Sequence, residues 1–195
     1  ASIEHIWTGD PEALSRFCLL AFGKLGGSEL NYSSDIDLIG IFEPHDFRTD
    51  VQAFELLLGR LRSELSDHTP QGTVYRVDFR LRPYGSVGPL VTSLDRILRY
   101  YREEASQWEW QALLKLRPVA GELEIGRRFL DAMKGGFASR WTPQAIERNV
   151  RRLRAAAVKQ SERSGRTDVK SGSGRIRDIE FLVQALQMAG ASQCP

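Results

Sequence analysis

The sequence predicts an α+β fold in which a small mixed sheet flanked by helices is followed by a helical extension. Two observations indicate this class. Apolar runs typical of buried strands alternate with turn signals and a helical stripe up to about residue 90 of the 195 residues. Beyond that point, helical patterns follow one another. We therefore expect a core over residues 1–120 and a helical extension over residues 121–195.

The first half alternates strands with helices. An Asp-Pro pair at residues 10–11 is typical of a helix start, because aspartate caps the first turn and proline fits the first helical position. Residues 50–67 show helical spacing, with Phe54, Leu58 and Leu61 on one face. The predicted elements are, in order, a short helix from Asp10, a strand at 16–23, a glycine-rich loop at 23–34, a strand at 35–42, a helix at 50–67, a turn at 69–72 and a strand at 73–83 that Pro83 ends.

The second half is mainly helical in its pattern. A loop at 84–91 precedes it, and Thr92 or Ser93 can cap the helix that follows. The predicted helices run from this cap to about residue 104, and over 107–116, 121–137, 142–163 and 176–190. A polar, glycine-rich loop at 164–175, with room for a short strand at 168–170, separates the last two helices.

The composition argues against membrane and secreted classes. No stretch approaches the roughly 20 continuous apolar residues of a membrane span. The N-terminal residues are polar and acidic, without the apolar centre of a signal peptide. The two cysteines, Cys18 and Cys194, do not have metal-ligand spacing. We therefore expect a reduced, cytoplasmic protein that does not associate with a membrane.

The net charge of +2 hides an uneven distribution. Residues 134–177 hold twelve Lys or Arg and three Asp or Glu, a local net charge of +9, and the rest of the chain sums to −7. Such a stretch either faces solvent on a helix or contacts phosphate, a nucleotide, nucleic acid or an acidic protein. No DNA- or RNA-binding motif accompanies it, so we expect no DNA partner.

Two aspartates stand at the start of the apolar strand at 35–42. Asp35 and Asp37 face the same way, with Cα atoms about 6.6 Å apart, because side chains alternate along a strand. Two carboxylates so close repel each other unless a cation lies between them, and Mg²⁺ prefers carboxylate oxygens. An Asp-x-Asp pair alone could also cap a turn. Here it follows a glycine-rich loop, whose backbone N–H groups can bind a triphosphate.

A third carboxylate, Asp78, lies in the strand predicted at 73–83. If that strand neighbours the one at 35–42, Asp78 reaches the same cleft, and three carboxylates can hold two metal ions about 3.5–4 Å apart. Arg80 and Arg82 are predicted to lie on the face of Asp78 and could neutralise phosphate charge. The alternative is that these arginines form structural ion pairs with the acids.

Four blocks of the chain then resemble one family. In order between Gly23 and Phe181 they are "GKLGGSELNYSSDIDLI", "YRVDFRLRPYGSVGPLVTS", "WEWQALLKLRPVAG" and "DVKSGSGRIRDIEF". The Gly-Gly, Asp-x-Asp and later Asp resemble the nucleotidyltransferase fold of the DNA polymerase β superfamily. Together the blocks resemble the glutamine synthetase adenylyltransferase/deadenylylase family, which attaches AMP to a tyrosine of glutamine synthetase and removes it.

The resemblance implies a function for the chain. It implies a polymerase β-like enzyme that uses one or two Mg²⁺ ions, has ATP or ADP as substrate or product, and regulates nitrogen assimilation through glutamine synthetase. A PII-type nitrogen-signalling protein is an implied partner of the longer family enzyme. The family enzyme carries two such modules. "SSDIDLI" and the block at 176–181 resemble the N-terminal module, which removes AMP by phosphorolysis.

The resemblance and the residue chemistry together define the predicted site. Asp35, Asp37 and Asp78 are the predicted catalytic and metal-binding residues. The predicted contacts to nucleotide or phosphate are Gly26, Gly27, Ser34, Arg80, Arg82, Lys170, Arg175 and Arg177, with Glu180 in support. The last three cations belong to a glycine loop at a helix N-terminus, which favours anions, and residues 168–181 are expected to return to the active site. Arg175 stands where the family usually has a second glycine.

Two other functions are compatible with the same fold. One is a different transferase of the polymerase β superfamily that acts on a small molecule or RNA, and the match of four blocks argues against it. The other is a non-catalytic regulatory module, which would be expected to lose its metal ligands. The presence of all three aspartates favours an enzyme.

Overall fold

The computed structural model describes residues 3–32, 34–45, 51–67, 75–164 and 176–191. The chain divides into two compact units. Unit 1 comprises Ala1–Ala105 and Lys115–Ala132, and unit 2 comprises Ser106–Leu114 and Met133–Pro195. The predicted α+β class, with a small mixed sheet flanked by helices, is confirmed within unit 1. The predicted domain boundary at residue 120 stays a prediction.

The sheet of unit 1 has five strands in the described residues. They are β1 (Phe17–Ala21), β2 (Asp35–Phe42), β3 (Arg76–Asp78), β4 (Val91–Ser93) and β5 (Arg117–Gly121). Their order is β3-β2-β1-β5, and β4 also pairs with β2. β1 runs antiparallel to β2 and β5, whereas β3 and β4 run parallel to β2, so the sheet is mixed.

β1 and β2 form the buried centre of unit 1. All five residues of β1 are buried, and β2 is buried from Leu38 to Phe42. These apolar runs were predicted as strands because a strand covered on both faces needs no polar alternation. Each large apolar side chain moved out of water contributes about 1.5–3 kcal/mol. The two strands therefore supply much of the stability of the unit.

Helices cover this sheet. Those of unit 1 are α1 (Ile3–Ile6), α2 (Pro11–Leu14), α3 (Gly23–Gly26), α4 (Val51–Ser66), α5 (Leu94–Glu103) and the first part of α7 (Leu123–Arg140). The predicted stripe of α4 is confirmed, since Phe54, Leu57, Leu58 and Leu61 are buried. The ring of Phe54 stacks on that of Phe17 in β1, with centroids 5.0 Å apart. Predicted caps are confirmed at Asp10 for α2 and Ser93 for α5.

The strand predicted at 73–83 is wrong in its length. Within the described residues β3 ends at Asp78, and the chain then turns, because the Asp78 carboxylate accepts the backbone N–H of Arg80 at 2.7 Å. The chain rejoins the same edge of β2 as β4, which the sequence placed in a loop and a helix cap. The segment predicted as a loop at 23–34 begins with the short helix α3. The sequence analysis did not predict the strand β5.

Unit 2 is helical in the described residues. It contains α6 (Gln107–Ala112), the rest of α7, α8 (Pro143–Ser164) and α9 (Ile176–Ala191). Trp110 and Trp141 are buried, and the ring of Trp110 meets that of Phe137 edge-on at 5.4 Å. Arg154 of α8 pairs with Asp178 of α9 through two hydrogen bonds of 3.0 and 3.1 Å.

The helix α9 leaves apolar side chains in solvent. Five of its large apolar residues are exposed: Ile176, Ile179, Leu182, Val183 and Leu186. Residues 165–175, which include the strand predicted at 168–170, lie outside the described residues. None of the helices in the described ranges is long and apolar enough to cross a membrane.

Candidate active site

Three carboxylates meet at one end of the sheet of unit 1. β3 lies beside β2, as the sequence analysis required, and Asp37 of β2 is the register partner of Asp78 of β3. Register partners project from the same face of a sheet, and so do residues two apart on one strand. Asp35, Asp37 and Asp78 therefore share a face. The core-facing residue between the first two, Ile36, is 4% exposed.

The solvent exposure of the three carboxylates differs. The side chain of Asp35 is 48% exposed and that of Asp78 is 18% exposed. Asp37 is half-buried. Asp35 thus lies nearest to solvent, and Asp37 and Asp78 lie nearer to the core. Asp37 and Asp78 interact more strongly with neighbouring charges because less water screens them.

Arg80 binds Asp78 tightly. Its Nε donates to both carboxylate oxygens of Asp78 at 3.0 and 2.8 Å, and its Nη2 donates to Oδ2 at 2.5 Å. These hydrogen bonds from Arg80 are the largest cause of a lowered Asp78 pKa. They also raise the pKa of Arg80, to which the charges of Asp37 and Asp35 contribute further. Arg80 therefore interacts with all three aspartates.

A second arginine pairs with the outer aspartate. Arg76 Nε lies 2.6 Å from Asp35 Oδ1. The predicted alternative, in which arginines pair with the acids, thus describes Asp35 and Asp78. Among the described residues, no group of three or more His, Cys, Asp or Glu side chains has the arrangement of a metal site. The donor chemistry nevertheless fits a hard divalent cation, because all three groups are carboxylates on one face.

The glycine that contacts the site is Gly23, which the sequence analysis did not assign. Its φ is +55°, and a Cβ there would lie 2.9 Å from Asp37 Oδ2. The backbone conformation therefore favours glycine, and a side chain there would displace the carboxylate of Asp37. A glycine directly after a buried strand was the available signal. It was missed because the Gly26-Gly27 pair resembled the family motif more closely.

Gly26 has a packing role in the structure. A Cβ at this position would lie 1.9 Å from the carbonyl oxygen of Lys115 and 2.5 Å from that of Ala21. A Cβ at Gly27 would lie 3.1 Å from Lys115 Cδ. These contacts fix α3 against the chain that leads into β5. Phosphate binding by Gly26 and Gly27 stays a prediction.

Arg117 of β5 secures the same helix. Its Nε donates to the carbonyl of Gly26 at 3.0 Å, and its Nη2 donates to that of Leu25 at 2.8 Å. These carbonyls belong to the end of α3, where a cation is favourable. Nearby, Lys115 Nζ lies 2.5 Å from Glu29 Oε2. The loop after β1 is thus held by residues about 90 positions later in the chain.

Arg82 and Ser34 bond within their own loops. The guanidinium of Arg82 donates to the carbonyls of Phe79, Gly88 and Ser86 at 2.8–3.0 Å. Ser34 is buried, and its hydroxyl donates to the side-chain oxygen of Asn31. Both residues therefore shape the loops on either side of the carboxylates. Their predicted contacts with nucleotide stay predictions.

The remaining predicted residues belong to the last block. Lys170 and Arg175 lie outside the described residues. Arg177 and Glu180 lie in α9, which belongs to unit 2. The predicted return of residues 168–181 to the carboxylates of unit 1 stays a prediction.

Comparison with known proteins identifies two similar families. A family model described as glutamate-ammonia ligase adenylyltransferase matches residues 4–132, about two thirds of the chain. A second, described as GlnD PII-uridylyltransferase, matches residues 144–194. The first match covers all five strands and the three aspartates, and the second covers α9 and most of α8.

Curated relatives agree with the first match. Bifunctional glutamine synthetase adenylyltransferase/adenylyl-removing enzymes from Thioalkalivibrio sulfidiphilus and Streptomyces avermitilis are each 40% identical to this chain, over 187 and 185 residues. That of Cutibacterium acnes is 35% identical over 188 residues. Each alignment covers 92% of this chain but 18–19% of the relative. The chain therefore spans about a fifth of the length of the curated relatives it matches.

Proposed function

Since the chain belongs to the glutamate-ammonia ligase adenylyltransferase family, we propose that unit 1 is a polymerase β-like nucleotidyltransferase core that adds AMP to, or removes it from, a tyrosine of glutamine synthetase. The pairing of β2 with β3 carries this proposal, because it brings Asp35, Asp37 and Asp78 to one face beside the loop that begins at Gly23. Three carboxylates lie at a strand end next to a glycine-rich turn. Such an arrangement can bind a nucleotide phosphate together with its divalent cation.

The three aspartates would hold one or two Mg²⁺ ions. A divalent cation held there would offset the charge of the phosphates and make the adenylyl phosphorus more electrophilic. The side chain of Arg80 is 77% exposed. Its guanidinium would neutralise the charge of phosphate oxygens at the solvent side of the site. Arg82 would act indirectly, since it holds the loop that carries Arg80.

Asp78 is the proposed base in the adenylylating direction. It would accept the proton of the tyrosine hydroxyl, the tyrosine oxygen would form a bond to the α-phosphorus of ATP, and pyrophosphate would leave with the electrons of the broken P–O bond.

We propose removal of AMP as the direction that this module favours. In phosphorolysis an oxygen of hydrogen phosphate attacks the adenylyl phosphorus and becomes the bridging oxygen of ADP. The bond from phosphorus to the tyrosine oxygen breaks, and that oxygen takes the proton that the phosphate gives up. Lys170, Arg175 and Arg177 are proposed to bind the attacking phosphate, because its charge opposes that of the adenylyl group. The full-length relatives' names include both activities, and a PII-type protein is the proposed regulator. A cytoplasmic location fits this substrate.

The test supplies adenylylated glutamine synthetase with Mg²⁺ and inorganic phosphate and measures ADP by chromatography. We expect phosphate-dependent ADP from the chain and none from Asp37→Asn. AMP transfer from ATP to unmodified synthetase, without phosphate-dependent ADP, would contradict the direction while leaving the nucleotidyltransferase assignment intact. Equal ADP release by Asp37→Asn would contradict the assignment itself.

A further inference from the structure

We propose that Arg80 is an exchangeable counter-ion of Asp78. Its guanidinium pairs with the Asp78 carboxylate until that carboxylate binds a divalent cation. The guanidinium then turns to the nucleotide phosphate. This inference rests on the proposed function. It adds that the binding of cation and nucleotide is coupled through one side chain. The coupling makes Arg80 a positioning residue with two alternative partners.

Arg80 engages both carboxylate oxygens of Asp78. Oδ1 accepts the backbone N–H of Arg80 at 2.7 Å and its Nε at 3.0 Å. Oδ2 accepts Nε at 2.8 Å and Nη2 at 2.5 Å. A carboxylate offers about four lone-pair sites, and three N–H groups make these four contacts because the one hydrogen of Nε is shared between the two oxygens. Both oxygens of Asp78 are thus engaged by Arg80, and the guanidinium must move away to open them to a cation.

The guanidinium of Arg80 can leave without damage to the fold. The side chain of Arg80 is 77% exposed, whereas that of Asp78 is 18% exposed. Arg80 follows the end of β3 and takes no part in the sheet. The hydrogen bond from its backbone N–H can remain when the side chain turns. The pair that is lost is exposed on the arginine side, and ion pairs that water reaches contribute little.

Arg80 interacts with the charges of Asp37 and Asp35 as well as with Asp78. It therefore reduces the mutual repulsion of three carboxylates on one face. Once those carboxylates bind a cation, the same guanidinium faces a like charge, and an anionic phosphate becomes its better partner.

Arg82, two residues away, provides the contrast. Its three donors bind backbone carbonyls of residues 79, 86 and 88. Turning this side chain would leave three acceptors without their donor and open the loop. Exchange of partners is therefore available to Arg80 and not to Arg82.

The inference predicts opposite effects of one substitution on two ligands. In Arg80→Gln, Mn²⁺ measured by electron paramagnetic resonance without nucleotide should bind about fivefold more tightly, the factor expected from losing an exposed ion pair. ADP measured by calorimetry at saturating Mg²⁺ should bind about tenfold more weakly, because a charged hydrogen bond to phosphate is lost. A residue that only binds phosphate would change the second constant and leave the first unchanged.

Two further variants separate exchange from net charge. Arg80→Lys keeps the charge but cannot fill four acceptor sites, and it should bind Mn²⁺ at least about twofold more tightly than the unaltered chain. Arg127→Gln removes the same charge from an exposed pair with Glu124 on α7, and it should change neither constant. If Arg80→Gln tightens Mn²⁺ binding but Arg80→Lys does not, the effect is one of net charge, and the exchange is overturned.

The same measurements separate this inference from the proposed function. Asp78→Asn should weaken Mn²⁺ binding at least about tenfold, as expected when a carboxylate ligand is lost. If Asp78→Asn binds Mn²⁺ as the unaltered chain does, the metal site of the proposed function fails. If Asp78→Asn loses binding and Arg80→Gln gains none, the metal site stands and only the exchange is wrong. Circular dichroism confirms that each variant is folded.

Discussion

The strand β2 of unit 1 and the helix α9 of unit 2 place their apolar and charged side chains in opposite ways. β2 buries its apolar residues, as with Leu38 at 2% exposed, and presents Asp35 and Asp37 at its edge. α9 exposes apolar residues, as with Leu186 at 66%, and pairs its Asp178 with Arg154. Apolar burial stabilises only where water is removed. β2 thus contributes stability and chemistry together, whereas the exposed residues of α9 contribute little stability in this chain.

Truncation of an apolar side chain should show the largest contrast. Leu38→Ala should lower the free energy of unfolding by about 2–5 kcal/mol, because it leaves a cavity in the core. Leu186→Ala should change it by less than about 0.5 kcal/mol, because the side chain is largely in water. Urea unfolding followed by circular dichroism measures both. Equal losses would show that α9 is as firmly packed as β2.

Two glycines of unit 1 should respond oppositely to an added methyl group. Gly26→Ala should destabilise by about 3 kcal/mol, because its Cβ would meet two carbonyl oxygens that cannot both move. Gly59→Ala on α4 is the matched control, since no atom lies within 4 Å of a Cβ there. It should stabilise by about 0.4–1 kcal/mol. A stable Gly26→Ala variant would contradict the packing of α3 against the chain before β5.

The two arginines after β3 should differ by a smaller amount. Arg82→Ala should cost about 1–2 kcal/mol of stability through three lost hydrogen bonds to carbonyls. Arg80→Ala should cost less than about 1 kcal/mol, because the arginine side of its pair with Asp78 is exposed. Thermal unfolding of both variants tests this. A greater loss in Arg80→Ala would mean that its ion pair is structural.

The smallest effect concerns the thiol of Cys18, buried in β1. Burial is the main reason that its pKa is raised to about 12 from 9.0. Below pH 9 this shift does not affect stability. Between pH 9 and 12 the unfolded chain loses the thiol proton and the folded chain keeps it, so stability falls as pH rises. In a Cys194→Ser background, a thiol reagent at pH 8 should react only after urea is added. Rapid reaction without urea would show that the sheet opens.

The central elements could be predicted from the sequence because they depend on local pattern. An apolar run predicted β2, a helical stripe predicted α4, and the alternation of side chains placed Asp35 and Asp37 on one face. Asp78 reached the same face because β3 pairs with β2, which the sequence analysis stated as a condition. These features need no knowledge of distant contacts.

The missed features depend on contacts between distant parts of the chain. Gly23 and Gly26 look alike in sequence, but only one lies beside Asp37, and the other packs on Lys115. The early end of β3 follows from the hydrogen bonds of Asp78 and Arg82 in the loop. β5 contains Pro118 and pairs with β1 in an interrupted register, so its strand pattern is weak.

The most direct test of the central claim is calorimetric titration of ADP into the chain, with Mg²⁺ and with a chelator, for the unaltered sequence and for Asp37→Asn. Nucleotide binding at carboxylates that share one face of unit 1 acts through a divalent cation. We therefore expect ADP to bind in Mg²⁺ and to bind at least about tenfold more weakly with the chelator. A folded Asp37→Asn variant should lose the same factor in ADP affinity. ADP binding that is unchanged by both would contradict the account.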